Sequence, residues 1–208
     1  MIDIRPISPT EGLALIRAHH GYAGAGKVAT YAFGVFESDR LVAYYQRNPP
    51  APGAALSVCP TVPWAVLALT RMVAVPKSER VLKHVSKPLR EMQRRLIDRT
   101  RWPVLVTYSD ASMGHNGYTY KCAGWTATKV ATRNFWLTPD GARQSRYTNG
   151  KTRDNGTKSG TAVLTRWEHW ACERNAVAEY VAAGGWHRVE RGTRRWNSGN
   201  QAFQIVRG

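Results

Sequence analysis

The sequence is poor in acidic residues, in cysteine and in long apolar runs, and each shortage narrows what the chain can be. It carries 14 Asp and Glu against 30 Lys and Arg, a formal charge of +16 on 208 residues. Solubility alone needs about 2–8 charges on a small domain, so the excess points to a polyanionic partner, drawn by the long-range field and by counterion release. Nucleic acid is the first candidate. Three cysteines, Cys59, Cys122 and Cys172, form an odd set with no CxxC pair. That argues against a disulfide framework and against a structural zinc site of the usual spacing. No run approaches the ~20 apolar residues of a membrane span. Met1 to Pro9 lacks the basic start and apolar stretch of a signal peptide, so a cytosolic protein is expected. With 43% hydrophobic residues, and only 18 Gly and 11 Pro, the chain is neither disordered nor of low complexity.

What is present is an alternation of β-prone and helical runs without a repeat, which predicts a single α/β or α+β domain. Asp3 to Pro6 reads as a strand, followed by a helix from Ser8 or Thr10 with Leu13 and Ile16 on its apolar side. After a glycine-rich loop at residues 21 to 29, residues 31 to 37 and 41 to 46 alternate across Ser38-Asp39-Arg40 as a hairpin. A Pro/Gly/Ala stretch from Asn48 to Ala55 then interrupts the sheet. Trp64 to Val75 is a central strand stopped by Pro76, and Ser86 caps a helix whose Leu89, Met92 and Leu96 recur at helical spacing. Trp102 to Asp110 is a second buried strand, so the three elements predict a parallel crossover. Thr126 to Leu137 alternates as a further strand. Arg143 to Lys158 reads as a basic loop, Thr165 to Ala183 as a helix ended by Gly184-Gly185, and Gln201 to Val206 as a last strand.

Chemistry gathers after the second buried strand, in Tyr108-Ser-Asp-Ala-Ser-Met-Gly-His-Asn-Gly-Tyr-Thr-Tyr-Lys-Cys-Ala-Gly-Trp125. The carboxyl end of a strand in such a crossover faces the ligand crevice. A carboxylate, two serines, a histidine and tyrosines within hydrogen-bonding range of one another suit general acid and base chemistry. Gly114 and Gly117 let backbone come close to a ligand.

Three stretches resemble the Mom family of phage enzymes that modify adenine in DNA: Phe33-Gly-Val-Phe-Glu with Leu41-Val-Ala, Leu69-Thr-Arg-Met-Val, and above all Tyr108 to Tyr120 with Ala123-Gly-Trp125. The resemblance spans residues 19 to 137. It departs from the family at Ala68, where a Glu is usual before Leu-Thr-Arg. It implies an α/β fold of the acyl-CoA-dependent N-acetyltransferase (GNAT) type, a mixed central sheet flanked by helices, here with a basic C-terminal elaboration at residues 140–200 within one domain of residues 1–208. It further implies attachment of a carbamoylmethyl group to adenine N6, which shields phage DNA from restriction in the cytoplasm of the infected bacterial host.

Residue by residue, the resemblance places Arg71, Ser109, Asp110, His115, Tyr118 and Tyr120 in or beside the active centre. Asp110 is the preferred base or adenine acceptor, and Tyr120 the preferred acid. Lys77, Arg80, Lys83, Ser86 and Lys87, around the start of the Ser86 helix, suit a cofactor pyrophosphate, because helix N–H groups and the dipole favour an anion, and Arg71 is a further cofactor contact. The donor is an acyl-CoA or a glycine-derived compound. A bound iron is compatible with the family, and His19, His20 and His115 are its candidate ligands here. Double-stranded DNA is the partner, with Arg143, Arg146, Lys151, Arg153, Lys158, Arg194 and Arg195 as phosphate contacts. The rival readings are a conventional acetyl-CoA-dependent N-acetyltransferase of a protein or small molecule and a non-catalytic basic DNA-binding protein.

Overall fold

The computed structural model of the protein describes residues 2–19, 29–99, 102–137, 143–144, 147–148, 151–152, 157–184, 194–197 and 202–205. In chain order these are β1 (Ile2–Pro6), α1 (Pro9–His19), β2 (Tyr31–Glu37), β3 (Arg40–Asn48), α2 (Pro52–Val58), β4 (Val66–Ala74), α3 (Ser86–Arg99), β5 (Val104–Asp110), α4 (Tyr118–Cys122) and β6 (Thr126–Leu137). The short strands β7 (Arg143–Gln144), β8 (Tyr147–Thr148) and β9 (Lys151–Thr152) follow. β10 (Thr157–Trp170), α5 (Val177–Ala183), β11 (Arg194–Asn197) and β12 (Ala202–Ile205) come last.

An eight-stranded sheet runs in the order β1-β2-β3-β4-β5-β10-β6-β7. Every neighbouring pair is antiparallel except β4 and β5, which are joined by the α3 crossover. The β2–β3 turn places Ser38 and Asp39 at φ of 46° and 68°, the left-handed pair that a tight hairpin needs. β8 with β9 and β11 with β12 form separate two-stranded ribbons.

Two helical layers cover the sheet. On one face α3 buries Leu89, Met92 and Leu96 against Leu67, Leu69 and Leu105, beside Trp102, Trp125 and Trp167. Gln93 of α3 donates to the Ala123 carbonyl at 2.7 Å and accepts from Trp125 Nε1 at 2.5 Å, which fixes the end of α4 over the sheet. On the other face α1 packs its Ile16 with Tyr44 and Val73. A Cβ at Gly12 would stand 2.3 Å from the Tyr44 ring, so only glycine allows this close crossing. α2 and α5 bury Ala55, Val58, Val177 and Val181 on Val66, Ala68, Val104 and Val106.

The structure departs from the sequence reading at three elements, one of them the expected basic loop from Arg143 to Lys158, within which β7, β8, β9 and the start of β10 are strand. Residues 165 to 170 are strand, not helix: β10 pairs with β5 from Leu164 to Trp170 and with β6 along most of its length. Tertiary pairing on both sides outweighs a local pattern that fits a helix. The expected elaboration at residues 140–200 therefore overlaps a strand in the interior of the sheet. The Pro/Gly/Ala stretch contributes α2, with Pro52 in its first turn, where a missing N–H costs nothing.

β10 is locked by a buried ionic cluster. The Glu168 carboxylate accepts from Arg166 at 2.8 Å, Arg174 at 2.6 Å, Thr128 at 2.9 Å and Trp170 Nε1 at 2.9 Å. Arg166 also donates to the Ser57 carbonyl and hydroxyl, which ties the strand to α2.

Candidate active site

β4 and β5 share only three register pairs, Val66 with Val104, Leu67 with Leu105 and Ala68 with Val106, and then diverge. The gap is bridged at its apex by a side chain: the Thr107 hydroxyl donates to the Leu69 carbonyl at 3.0 Å. Beyond that bridge opens a cleft of 660 Å³. Its walls include Leu69 to Met72 of β4, Thr107, Tyr108 and Asp110 of β5, and the segment from Gly114 to Tyr120. Arg133, Asn134 and Phe135 of β6 close the far side. The cleft opens at the parallel β4–β5 pair, beyond the last paired residues Ala68 and Val106.

Asp110, the last residue of β5, is buried, and its Oδ1 accepts from the Ser112 N–H at 3.0 Å and from the Ser112 hydroxyl. The carboxylate thereby caps the turn at Ala111–Met113, and Gly114 reverses the chain at φ 74°. The Asp110 carbonyl accepts the His115 N–H at 3.1 Å, which sets exposed His115 on the cleft rim. Gly117, at φ 72°, starts α4, and its Cα lies against Trp167 so closely that a Cβ would stand 2.1 Å from the indole. This contact aims the short helix into the cleft, with Tyr118 exposed on the rim and Tyr120 inside.

Tyr120 stands 6.0 Å, centroid to centroid, from both Trp125 and Trp167. Burial raises its phenol above the ordinary value, and the hydrogen bond with Thr107 and the charge of Arg47 oppose that rise without cancelling it. The Thr107 proton is committed to the Leu69 carbonyl, so the Tyr120 hydroxyl is the donor between the two. At neutral pH the group is a protonated acid beside the point where the strands part.

Arg47 is fully buried on β3, and among the described residues its guanidinium nitrogens have no hydrogen-bond partner. It lies 5.9 Å from the Trp125 ring centroid. Burial pulls its pKa down to about 10, opposed by Tyr45 and Tyr120, so it stays charged. The sequence signal was available: Ala43, Tyr45 and Arg47 alternate on β3, and the first two are fully buried. A buried cation without a partner costs stability, so Arg47→Met is expected to stabilise the fold by about 1–4 kcal/mol. A differential scanning calorimetry midpoint at least ~2 °C above wild type is the expected reading.

His169 on β10 has its Nδ1 3.1 Å from the Gly124 carbonyl, which only accepts, so Nδ1 carries the proton. Burial lowers the imidazole pKa, the Gly124 bond opposes, and Arg47 lowers it further. The unfolded chain therefore takes up a proton near pH ~6.5 that the folded chain resists, and stability falls as the pH drops below that value. Melting midpoints at pH ~7.5 and ~5.5 are expected to differ less in His169→Gln than in wild type.

Of the residues expected from the sequence, Arg71, Asp110, His115, Tyr118 and Tyr120 line one cleft. Ser109 does not: it is buried, and its hydroxyl accepts the Trp167 Nε1–H at 2.9 Å, a support for the indole behind Gly117. Arg71 donates to the Thr70 carbonyl at 2.8 Å at the cleft wall. Thr107, Asn116, Arg133, Asn134 and Phe135 are cleft residues that sequence reasoning missed. Ser86 and Lys87 line a separate groove of 450 Å³ with His84, Arg90, Arg94 and Tyr118. His19 is exposed at the end of α1, and His20 lies outside the described residues. Among the described residues, no three of His, Cys, Asp and Glu converge as a metal site would require. Arg143, Lys151, Lys158, Arg194 and Arg195 fall on strands whose side chains lie outside the description, as do Arg146 and Arg153 entirely. Among the described residues no helix is long and apolar enough to cross a membrane.

The profile of the Mom protein family matches residues 1–180. The chain belongs to the Mom protein family. No curated protein matches the sequence. Solved structures similar to this Mom family protein include acetyltransferases. An IAA acetyltransferase from Bacillus cereus has a TM-score of 0.54 at 9% identity, covering 82% of this chain and 99% of its own. NAA60 of Arabidopsis thaliana, in complex with acetyl-CoA, has a TM-score of 0.54 at 10% identity, covering 82% and 98%. An N-acetyltransferase from Staphylococcus aureus has a TM-score of 0.50 at 13% identity, covering 83% and 99%. The Mom family protein thus has the GNAT acetyltransferase fold.

An acyl-CoA needs a seat for its diphosphate, and the expected one is the loop before α3. In this protein some of the loop's donors are committed. The Val81 N–H, at 2.8 Å, and the Leu82 N–H donate to the Glu37 carboxylate. The Arg80 guanidinium donates to the Val75 carbonyl at 3.0 Å and to the Leu82 carbonyl, so Arg80 is an internal strut and not the free phosphate ligand expected. The Lys87 and Leu89 N–H groups bond to the His84 and Val85 carbonyls, and Pro88 has none. Lys83 leans on the Arg80 carbonyl at 3.5 Å, and Lys77 is exposed in the turn after Pro76. The N–H groups of Lys83, His84, Val85 and Ser86 bond to no acceptor among the described residues, so donors for a diphosphate remain at the start of α3, beside the groove lined by Ser86, Lys87 and Arg90.

Proposed function

We propose that this protein transfers a carbamoylmethyl group, or a related acyl or glycine-derived group, to the exocyclic N6 of adenine in double-stranded DNA, and that the product resists host restriction. The observation that carries the reading is the convergence of Asp110, His115, Tyr118 and Tyr120 on one cleft of a Mom family chain with a charge of +16.

Adenine N6 is a weak nucleophile, because its lone pair is conjugated with the ring. In the proposed step N6 forms a bond to the donor carbon while the bond from that carbon to its leaving group breaks. The N6 proton passes to the Asp110 carboxylate, and Tyr120 supplies a proton to the leaving group. A paired adenine must leave the stack to enter a pocket of this kind, and exposed Tyr108 and Tyr118 at the cleft suit stacking on the extruded base. Exposed Arg133 on the cleft wall suits a phosphate or base contact. The basic residues Arg143, Arg146, Lys151, Arg153, Lys158, Arg194 and Arg195 extend the phosphate track, and affinity should fall steeply with salt.

Plasmid DNA from bacteria expressing the protein tests the reading. Digestion with a panel of restriction endonucleases whose sites contain adenine should be blocked at a subset of sites. Complete digestion by every enzyme of the panel, from cells that hold soluble protein, contradicts it.

A further inference from the structure

We propose that Arg47, a buried cation beside the reaction cleft, is the counter-charge for the phenolate that Tyr120 becomes when it gives its proton to the leaving group. The proposal rests on the group-transfer reading above and assigns a positioning residue to its acid step.

Arg47 lies on β3 with Leu69 of β4 as its cross-strand partner, and Leu69 is part of the cleft wall. The Leu69 carbonyl accepts the Thr107 hydroxyl, which in turn accepts the Tyr120 hydroxyl. The residue that pairs with Arg47 therefore also anchors the acid. The Trp125 ring stands beside both, 5.9 Å from the Arg47 Cζ and 6.0 Å from the Tyr120 ring.

Among the described residues no group neutralises this cation. Its three guanidinium nitrogens are buried without a hydrogen-bond partner. The titratable groups that face it are neutral. The Tyr45 hydroxyl donates to the Val85 carbonyl at 2.8 Å, and burial pushes its phenol up. The His169 imidazole is tied to Gly124, with burial pulling its pKa down. An apolar side chain in place of Arg47 would remove the cost of a lone buried charge. Residues that break a packing rule in this way gather at functional sites, and in a dry setting the field of one cation carries further than in water.

The acid step supplies the missing anion. As the bond from the donor carbon breaks, its electron pair stays with the leaving group, and the Tyr120 O–H bond breaks to protonate that atom. The O–H electron pair remains on Tyr120 as a phenolate, next to Trp125 and Trp167. Burial opposes the phenolate, and the Thr107 bond and the Arg47 charge favour it. Water returns the proton to Tyr120 after the product leaves.

Two readings test the proposal. The rate at which modified deoxyadenosine appears after induction, per amount of soluble protein, should fall at least about tenfold in Arg47→Met, while the melting midpoint rises by at least ~2 °C. Arg47→Gln, neutral and of similar reach, should show the same loss of rate. In the purified full-length protein a trifluorinated tyrosine at position 120, whose phenol ionises nearer neutral pH, should ionise at a lower pH with Arg47 present than in Arg47→Met. Phenolate absorbance reads that difference without DNA. A wild-type rate in both neutral variants overturns the proposal, as does an equal ionisation pH in the two backgrounds. A fall in rate together with a fall in midpoint marks a packing role and overturns it too. Modified DNA with an unshifted titration removes this proposal alone, whereas unmodified DNA from soluble wild type removes the function and the acid step with it.

Discussion

Asp110→Asn is expected to lower DNA modification by about 10²–10⁴ while leaving the fold intact. The substitution is close to isosteric, and the amide oxygen can keep the bond from the Ser112 N–H that caps the Ala111–Met113 turn. What it removes is the basicity of a carboxylate at the end of β5, on the wall of the cleft. The loss of a cap costs about 1 kcal/mol, so retaining the acceptor should keep the melting midpoint within a few degrees of wild type. The fraction of modified deoxyadenosine in plasmid DNA, read beside a melting curve, separates the two effects. Wild-type modification by the Asn variant would take the carboxylate out of the chemistry.

Gly117→Ala should have the largest effect on stability. The residue sits at φ 72°, and the new methyl would stand 2.1 Å from Trp167. Left-handed backbone costs an alanine about 1–2 kcal/mol, and overpacking adds about 1–3 kcal/mol. The sum, about 2–5 kcal/mol, corresponds to a fall of several degrees in the melting midpoint. Trp167 cannot retreat easily, because its Nε1 is held by Ser109 and its ring by Tyr120. Any shift moves the α4 start and Tyr120 with it, so modification should fall together with stability. Gly114→Ala is the matched control: it has nearly the same φ, 74°, with nothing within 4 Å of the new methyl, and only the backbone cost remains. Equal midpoints for the two variants would show that the Trp167 contact carries no weight.

Much of this architecture is legible in the chain. The β2–β3 hairpin and the β4-α3-β5 crossover follow from alternation, a capped apolar stripe and Pro76, and the crossover in turn locates Asp110 at a strand end. β10 was not legible, because its Thr165 to Trp170 half is held by pairing with β5 and β6, partners that local pattern cannot reveal. Ser109 and Asp110 are neighbours in sequence, yet strand alternation sends the Ser109 hydroxyl to Trp167 on the α3 face and the Asp110 side chain to the cleft. Glu37 reads as an ordinary turn-flanking charge, and only the fold brings it to Val81 and Leu82, more than forty positions along the chain. Arg80 reads as a phosphate ligand by charge, whereas its hydrogen bonds are spent on two carbonyls of its own loop.

Mass spectrometry of nucleosides from plasmid DNA, taken from cells expressing the wild-type chain and the Asp110→Asn variant in parallel, tests the central claim most directly. The account predicts a new, heavier deoxyadenosine with wild type, with fragmentation placing the added mass on the base, and its near absence with the variant. Unmodified deoxyadenosine with soluble wild-type protein, or equal amounts of the heavier nucleoside from both chains, would contradict it.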